Sequence, residues 1–252
     1  MITIGSRGNS SLGDCLYLTS VFRYETGKVI LHNDEQSKQV GLVFDNICDV
    51  EYNDFPPERP DNLIKDISHK LDLDHRTRKI LLSLGINEKV SCPFVRISKE
   101  ETDWAIEFLK DYKKPIVIIN DNSGSWDKNN IRAHYVRPPT DMMQLICDKI
   151  IEGGFSPLQF GRKENERFTP LIGAKSIRGL SIRQLAACYS VIKKYIGGDT
   201  GDYHLMIATG GKANVFIPKE SYNLGYIYND LLYKTENFLN QDPLVKYIKF
   251  HE

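Results

Sequence analysis

The sequence predicts an α/β protein built from parallel sheets with helices on both faces. Three observations carry this. Short apolar runs alternate with amphipathic stretches, so strand, loop and helix recur in the same order along the chain. One run, Pro115-Ile116-Val117-Ile118-Ile119-Asn120, is continuous, β-branched and bounded by turn residues, as a strand buried on both faces requires. The length of 252 residues accommodates two domains at roughly 100–200 residues each, and the natural break is Asp111-Tyr112-Lys113-Lys114, just ahead of that run.

The elements follow in order. Ile2-Thr3-Ile4 is a strand, followed by a Gly/Ser-rich loop from Gly5 to Asp14. Leu16, Leu18, Val21 and Phe22 then have the spacing of a helix that runs to about Glu25, with Gly27 as its stop. Val29-Ile30-Leu31 is the next strand, Asp34 caps a helix carrying Val40 and Val43, and Asp49-Val50-Glu51-Tyr52 is a third strand. Pro56, Pro57 and Pro60 enforce a loop, and 66–84 is helical by periodicity, with Gly85 as its stop. Ser98-Lys99-Glu100-Glu101 opens a helix as a capping box.

After the central strand, 141–152 is a helix and 155–160 a strand closed by Gly161. Ile177-Arg178 leads to a helix capped by Ser181. Tyr195-Ile196-Gly197-Gly198 is a short strand, 204–209 a helix and 214–217 a strand. The expected organisation is an N-terminal unit over 1–112, a second over 113–225, and a helical C-terminal segment over 226–252 that packs back on the first unit. Two such units facing one another place a cleft at the C-terminal ends of their strands.

Composition narrows the function. Lys and Arg number 33 against 33 Asp and Glu, which disfavours a strongly basic nucleic-acid binder. No apolar run reaches the roughly 18–20 residues of a membrane span, and the first residues do not read as a signal peptide. Cys15, Cys48, Cys92, Cys147 and Cys188 are odd in number and widely spaced, with no CxxC. They read as reduced, buried thiols of a cytoplasmic protein rather than zinc ligands.

Three loops could carry chemistry. In Gly5–Asp14, glycines admit a close backbone approach, and the following helix start favours anions. Asp14 is there either a general base kept ionised by the helix terminus or simply the helix cap. In 122–128, small residues followed by Lys128 could hold a phosphate, or form a polar surface turn. In Gly197-Gly198-Asp199-Thr200-Gly201-Asp202-Tyr203-His204, a Gly-rich turn between strand and helix offers a diphosphate cradle. His204 reads as either a ligand of that anion or a structural histidine.

Several motifs are missing: the Gly-x-Gly-x-x-Gly fingerprint, the Walker A loop and the Gly-x-Ser-x-Gly elbow. Asp72-Leu73-Asp74, flanked by His69 and His75, reads as helix capping more readily than as a metal motif. Tyr222, Tyr226, Tyr228 and Tyr233 read as packing.

Taken together and in order, Gly13-Asp14, Lys128 and Asp199-Thr200-Gly201-x-x-His204 resemble the heptosyltransferase-type glycosyltransferases of family 9. Gly179-Leu180-Ser181-Ile182-Arg183-Gln184-Leu185 and His204-Leu205-Met206-Ile207-Ala208 resemble two of that family's helix starts, and the resemblance runs to about Pro218. It implies a compact GT-B fold, two Rossmann-like domains with parallel sheets facing across a cleft. It further implies an inverting, metal-independent transfer of a hexosyl or heptosyl group from a nucleotide-sugar donor to an acceptor hydroxyl, with no cofactor.

Position by position, the resemblance makes Asp14 the catalytic base. It gives the donor phosphates to Lys128, Thr200 and Gly201, supported by Asp199 and His204, with Ser11, Gly13, Ser123 and Gly124 in the same set. Gly161 and the acids Glu164 and Glu166 lie where the family holds the nucleoside. The acceptor is a saccharide, a metabolite or a modified base, and the short first unit suggests a small one. A nucleotide-sugar epimerase or hydrolase on the same fold, or a non-catalytic nucleotide- or glycan-binding protein, would carry the same cradle.

Overall fold

The computed structural model describes residues 1–5, 12–57, 84–86, 93–119, 138–161, 170–198, 200–218 and 245–250. For Asp14, Ile119, Ile217, Pro218 and residues 245–250 it describes the backbone alone. The chain forms two compact units, Met1–Arg96 with Tyr228–Pro243 and Ile97–Ile227 with Leu244–Glu252.

In the first unit, β1 (Ile2–Gly5), α1 (Leu12–Thr19), β2 (Gly27–His32), α2 (Glu35–Gly41) and β3 (Asp49–Asn53) alternate. The strands form a parallel sheet in the order β1-β2-β3. Ile4, Val29 and Leu31 are fully buried with Leu16, Val21 and Phe44, and the Phe22 and Phe44 rings meet edge to face at 6.2 Å. Asp34 caps α2 as its position predicts, accepting from the Ser37 amide at 2.7 Å.

The helix before β2 is shorter than expected. α1 gives way to a 3-10 turn at Ser20–Arg23. The hydroxyls of Thr19 and Ser20, both fully buried, bond back to the Leu16 and Tyr17 carbonyls at 2.7 and 2.6 Å. Gly27 is not the helix stop. It opens β2 opposite Ile2, and a Cβ there would lie 2.0 Å from the Ile2 carbonyl oxygen. The close approach of β1 is what requires a glycine.

The second unit begins at α3 (Lys99–Leu109), where the capping box forms in full: Ser98 Oγ accepts from the Glu101 amide and Glu101 accepts from the Ser98 amide. β4 (Pro115–Ile119), α4 (Thr140–Glu152), β5 (Ser156–Gly161), β6 (Lys175–Arg178), α5 (Ile182–Ile192), β7 (Lys194–Gly198), α6 (Gly201–Ala208), β8 (Lys212–Pro218) and β9 (Val245–Phe250) follow. All six strands are parallel, in the order β6-β5-β4-β7-β8-β9. Ile116 and Ile118 join Met143, Cys147 and Ile150 of α4 in one core cluster. Val117, fully buried, points to the other face, where α5 packs on β4, α3 and α6.

Two features depart from the sequence reading. Residues 245–250, read as helix, form β9 and pair with β8 from Ala213↔Val245 to Pro218↔Phe250. Val-Lys-Tyr-Ile-Lys-Phe is rich in β-branched and aromatic residues, and β8 presents an unpaired edge that such a strand satisfies. The units divide at Arg96/Ile97 rather than at 112/113, so α3 goes with the second unit. The reason is chemical: Arg183 of α5, 9% exposed, donates from Nε to Glu101 Oε1 at 2.7 Å and from Nη2 to the other carboxylate oxygen.

Burial raises the Glu101 carboxyl, but the Arg183 and Ser98 bonds outweigh it and hold the group below its ordinary value. A carboxylate depressed in the folded state stabilises above its unfolded value and loses that contribution as pH falls through the folded value. Arg183→Met is therefore expected to lower the unfolding free energy at pH 7 by about 2–3 kcal/mol. In urea titrations the gap between wild type and variant should narrow below about pH 4.3.

Candidate functional site

The strand order of the second sheet reverses beside β4. β5 and β6 are added on one side, then α5 carries the chain back and β7, β8 and β9 are added on the other. Such a reversal opens a crevice at the C-terminal edge, where ligands bind in open parallel sheets. Ile119 at the end of β4 pairs with Gly197 near the end of β7, so the two strands end side by side at this edge, and β7 is followed by the turn that opens α6.

That turn is built from inside. Thr200 is the N-cap of α6, with extended backbone at φ −134° and ψ 169°, and its Oγ1 accepts from the Asp202 amide at 3.3 Å. Beneath it, the Tyr195 hydroxyl donates to the Gly198 carbonyl at 2.8 Å and lies 3.2 Å from Thr200 Oγ1. Tyr195 gives its one proton to Gly198, and Thr200 Oγ1 donates to Asp202 Oδ2 at 3.4 Å. Tyr189 of α5 donates to Asp202 Oδ1 at 2.8 Å. Burial first, then the Asp202 charge, pushes the Tyr189 phenol well above its ordinary value, so it stays a donor. Thr200 is 6% exposed and its hydroxyl is consumed by the cap and Asp202. What the turn can offer an anion is the backbone and field of the α6 N-terminus rather than that side chain.

Gly201 is the first residue of α6 and half-buried. His204, 7% exposed, lies one turn further in with its ring 3.9 Å from that of Tyr203, centroid to centroid. Gly161 ends β5 two pairings away from β7, and a Cβ on it would lie 2.3 Å from Nη1 of Arg178, the last residue of β6. Glycine there makes room for the arginine, whose Nε donates to Ser176 Oγ at 3.1 Å.

In the first unit, Asp14 is the third residue of α1, not its cap, because α1 starts at Leu12. Its backbone still lies in the first turn, where a carboxylate is stabilised. Gly13 precedes it in the same turn. Gly5 is closed against the chain itself: a Cβ there would meet the Pro57 carbonyl oxygen at 2.2 Å. Ser11, Ser123, Gly124, Lys128, Glu164, Glu166 and Asp199 lie outside the described residues, as do Asp72 and Asp74. Among the described residues, no group of three or more His, Cys, Asp or Glu is placed to hold a metal ion.

Sequence reasoning missed Tyr189, Tyr195 and Asp202. Asp202 stood in the motif, but the two tyrosines left no local signal beyond an apolar position on α5 and an inward position on β7.

A site of this form, at the switch point of a parallel sheet, in a chain that carries a second parallel α/β unit, defines the fold class. No family model matches the sequence, and no curated protein is similar to it. Solved structures share the fold. A glycosyl transferase of family 9 from Veillonella parvula matches with a TM-score of 0.61 at 13% identity, over 99% of this chain and 85% of that one. The ADP-heptose lipopolysaccharide heptosyltransferase II of Escherichia coli matches with a TM-score of 0.58 at 11% identity, over 99% and 90%. E. coli heptosyltransferase WaaC with ADP-2-deoxy-2-fluoro heptose matches with a TM-score of 0.55 at 10% identity, over 98% and 92%.

The hydrogen-bonded turn makes a direct prediction. Thr200→Ala removes the cap and should cost about 1–2 kcal/mol in thermal or urea unfolding, while Thr200→Ser keeps most of the stability. Tyr189→Phe takes one donor from Asp202 and should cost about 1–3 kcal/mol. Unaltered unfolding of both Thr200→Ala and Tyr189→Phe would show that the turn does not depend on these bonds.

Proposed function

We propose that the protein is a glycosyltransferase of the GT-B type, its two Rossmann-like domains facing across a cleft. It moves a hexosyl or heptosyl group from a nucleotide-sugar to an acceptor hydroxyl with inversion and without a metal. The observation that carries the reading is the α6 N-terminus at the strand-order reversal, in a fold shared along nearly the whole chain with glycosyltransferases. That the WaaC structure holds an ADP-sugar analogue makes ADP-heptose the first donor to try.

In this reading the acceptor hydroxyl attacks the anomeric carbon from the face opposite the nucleotide, and Asp14 takes its proton. The carbon–oxygen bond to the diphosphate breaks and the electron pair leaves with the nucleotide. Lys128 and the backbone of the Thr200–Gly201 turn stabilise the charge that develops there. Ser11, Gly13, Ser123, Gly124 and Asp199 shape the phosphate pocket and His204 supports the turn from within. Gly161, Glu164 and Glu166 receive the nucleoside. The acceptor is a saccharide, a metabolite or a modified base. No helix among the described residues is long and apolar enough to cross a membrane. Burial pushes the Cys48 and Cys188 thiols up to about 12, which fits cysteines kept reduced in the cytoplasm.

Asp14→Asn should lower turnover by orders of magnitude at nearly unchanged nucleotide affinity. Unchanged turnover would remove Asp14 as base. Lys128→Ala should weaken nucleoside diphosphate binding more than nucleoside binding, read by thermal shift. Equal losses would end its phosphate role. Activity abolished in clean EDTA would end the metal-free mechanism.

A further inference from the structure

We propose that the N-terminal edge of the second sheet, with the flank of α4 beside it, docks on bilayer surfaces that carry anionic lipids. The apolar half of the argument is on α4. It buries Met143, Cys147 and Ile150 yet leaves Leu145 67% and Ile151 41% exposed, and Ile172, whose backbone Gln144 holds against the helix, is 82% exposed. Leu145, Ile146 and Phe155 line an open groove of about 410 Å³ between α4 and the start of β4, with no acidic residue in its lining. Leu145 exposed beside that groove marks an interaction surface, while Ile151 and Ile172 lie on the other flank of α4.

The charged half comes from topology. Lys114 immediately precedes β4, and Lys175, Lys194 and Lys212 are the first residues of β6, β7 and β8. All four are exposed and lie at the starts of parallel strands, Lys194 and Lys212 level with Ile116 and Lys175 one residue further in, level with Val117. From β6 to β8 that row is roughly 20 Å long at the usual strand spacing. Lys114 and Lys194 reach the Phe155 ring, with Nζ 5.5 and 5.2 Å from its centroid, so the cations adjoin the apolar groove. Of the acids nearby, Glu107 pairs with Lys110 and Glu152 with Lys149, Asp148 accepts from Gln144, and Asp111 is exposed.

In a chain of zero formal net charge, the described residues of this edge carry a local excess of cations. A row spread along a sheet edge fits a flat anionic surface, whereas a peptide in the groove would engage only the lysines at its rim. Apolar side chains beside lysines are what interfacial binding uses. The Thr200 turn lies at the opposite ends of the same strands, so docking leaves it accessible.

The test is cosedimentation of the full chain with vesicles of phosphatidylcholine alone and of equimolar phosphatidylcholine and phosphatidylglycerol. Binding to the mixed vesicles only is expected. K114E/K194E should lower it by at least about tenfold, at about 1 kcal/mol per lysine near the surface, and Leu145→Ser should lower it severalfold. These side chains are exposed, and thermal melts confirm that each variant folds. Absence of binding to mixed vesicles overturns the proposal, as does binding that K114E/K194E or Leu145→Ser leaves unchanged. Retention on polyglutamate without vesicle binding would replace the bilayer with an acidic protein.

Discussion

When β4 pairs with β7 rather than with another strand, the chain has to reverse the direction in which it adds strands. That pairing, through Val117, Ile118 and Ile119 against Tyr195, Ile196 and Gly197, sets the rest of the second unit. It places α4 on one face and α5 with α6 on the other, as right-handed crossovers demand. It also ends two strands next to one another on the same edge. A ligand bound at this edge therefore meets residues far apart in sequence without needing long loops to bring them together.

The polar groups of this unit are spent on its own architecture first. Glu101 serves its capping box and Arg183 together, which fastens α3 to α5. Tyr189 and Tyr195 are buried, yet each hydroxyl has an acceptor, Asp202 in one case and the Gly198 carbonyl in the other. Unsatisfied, either would cost more than its ring gains in a polar-free position. Satisfied, they fix the start of α6 from below, so the turn at the sheet edge keeps its shape before any ligand arrives.

What the sequence revealed follows the range of the forces involved. The capping box at Ser98/Glu101 and the Ser181 cap were legible because all their atoms lie within four residues. β4 was legible because a strand buried on both faces is apolar throughout. Gly27 was misread because its reason is the Ile2 carbonyl, 25 residues away in the chain and visible only once β1 and β2 pair. β9 was misread because six residues of mixed Lys and apolar character fit a helix end as well as a strand, and only the open edge of β8 decides. For the site, the collinear order of the loops was readable and the reversal that ends β4 and β7 side by side was not. Nor was the inward turn of Thr200, which depends on Tyr195 of β7, five residues earlier, facing inward beneath it.

That inward turn shapes how the edge can treat an anion. With its hydroxyl committed, Thr200 contributes geometry, and the attraction comes from the α6 N-terminus, whose field is equivalent to roughly half a charge. Asp202, in the first turn of the same helix, opposes a nearby anion. Tyr189 answers part of that by donating to the carboxylate from the buried side. A doubly charged diphosphate still needs a full cation, and the helix does not supply it. If a diphosphate binds at this edge, as the proposed function has it, that cation has to come from a side chain outside α6, and in the sequence Lys128 follows β4.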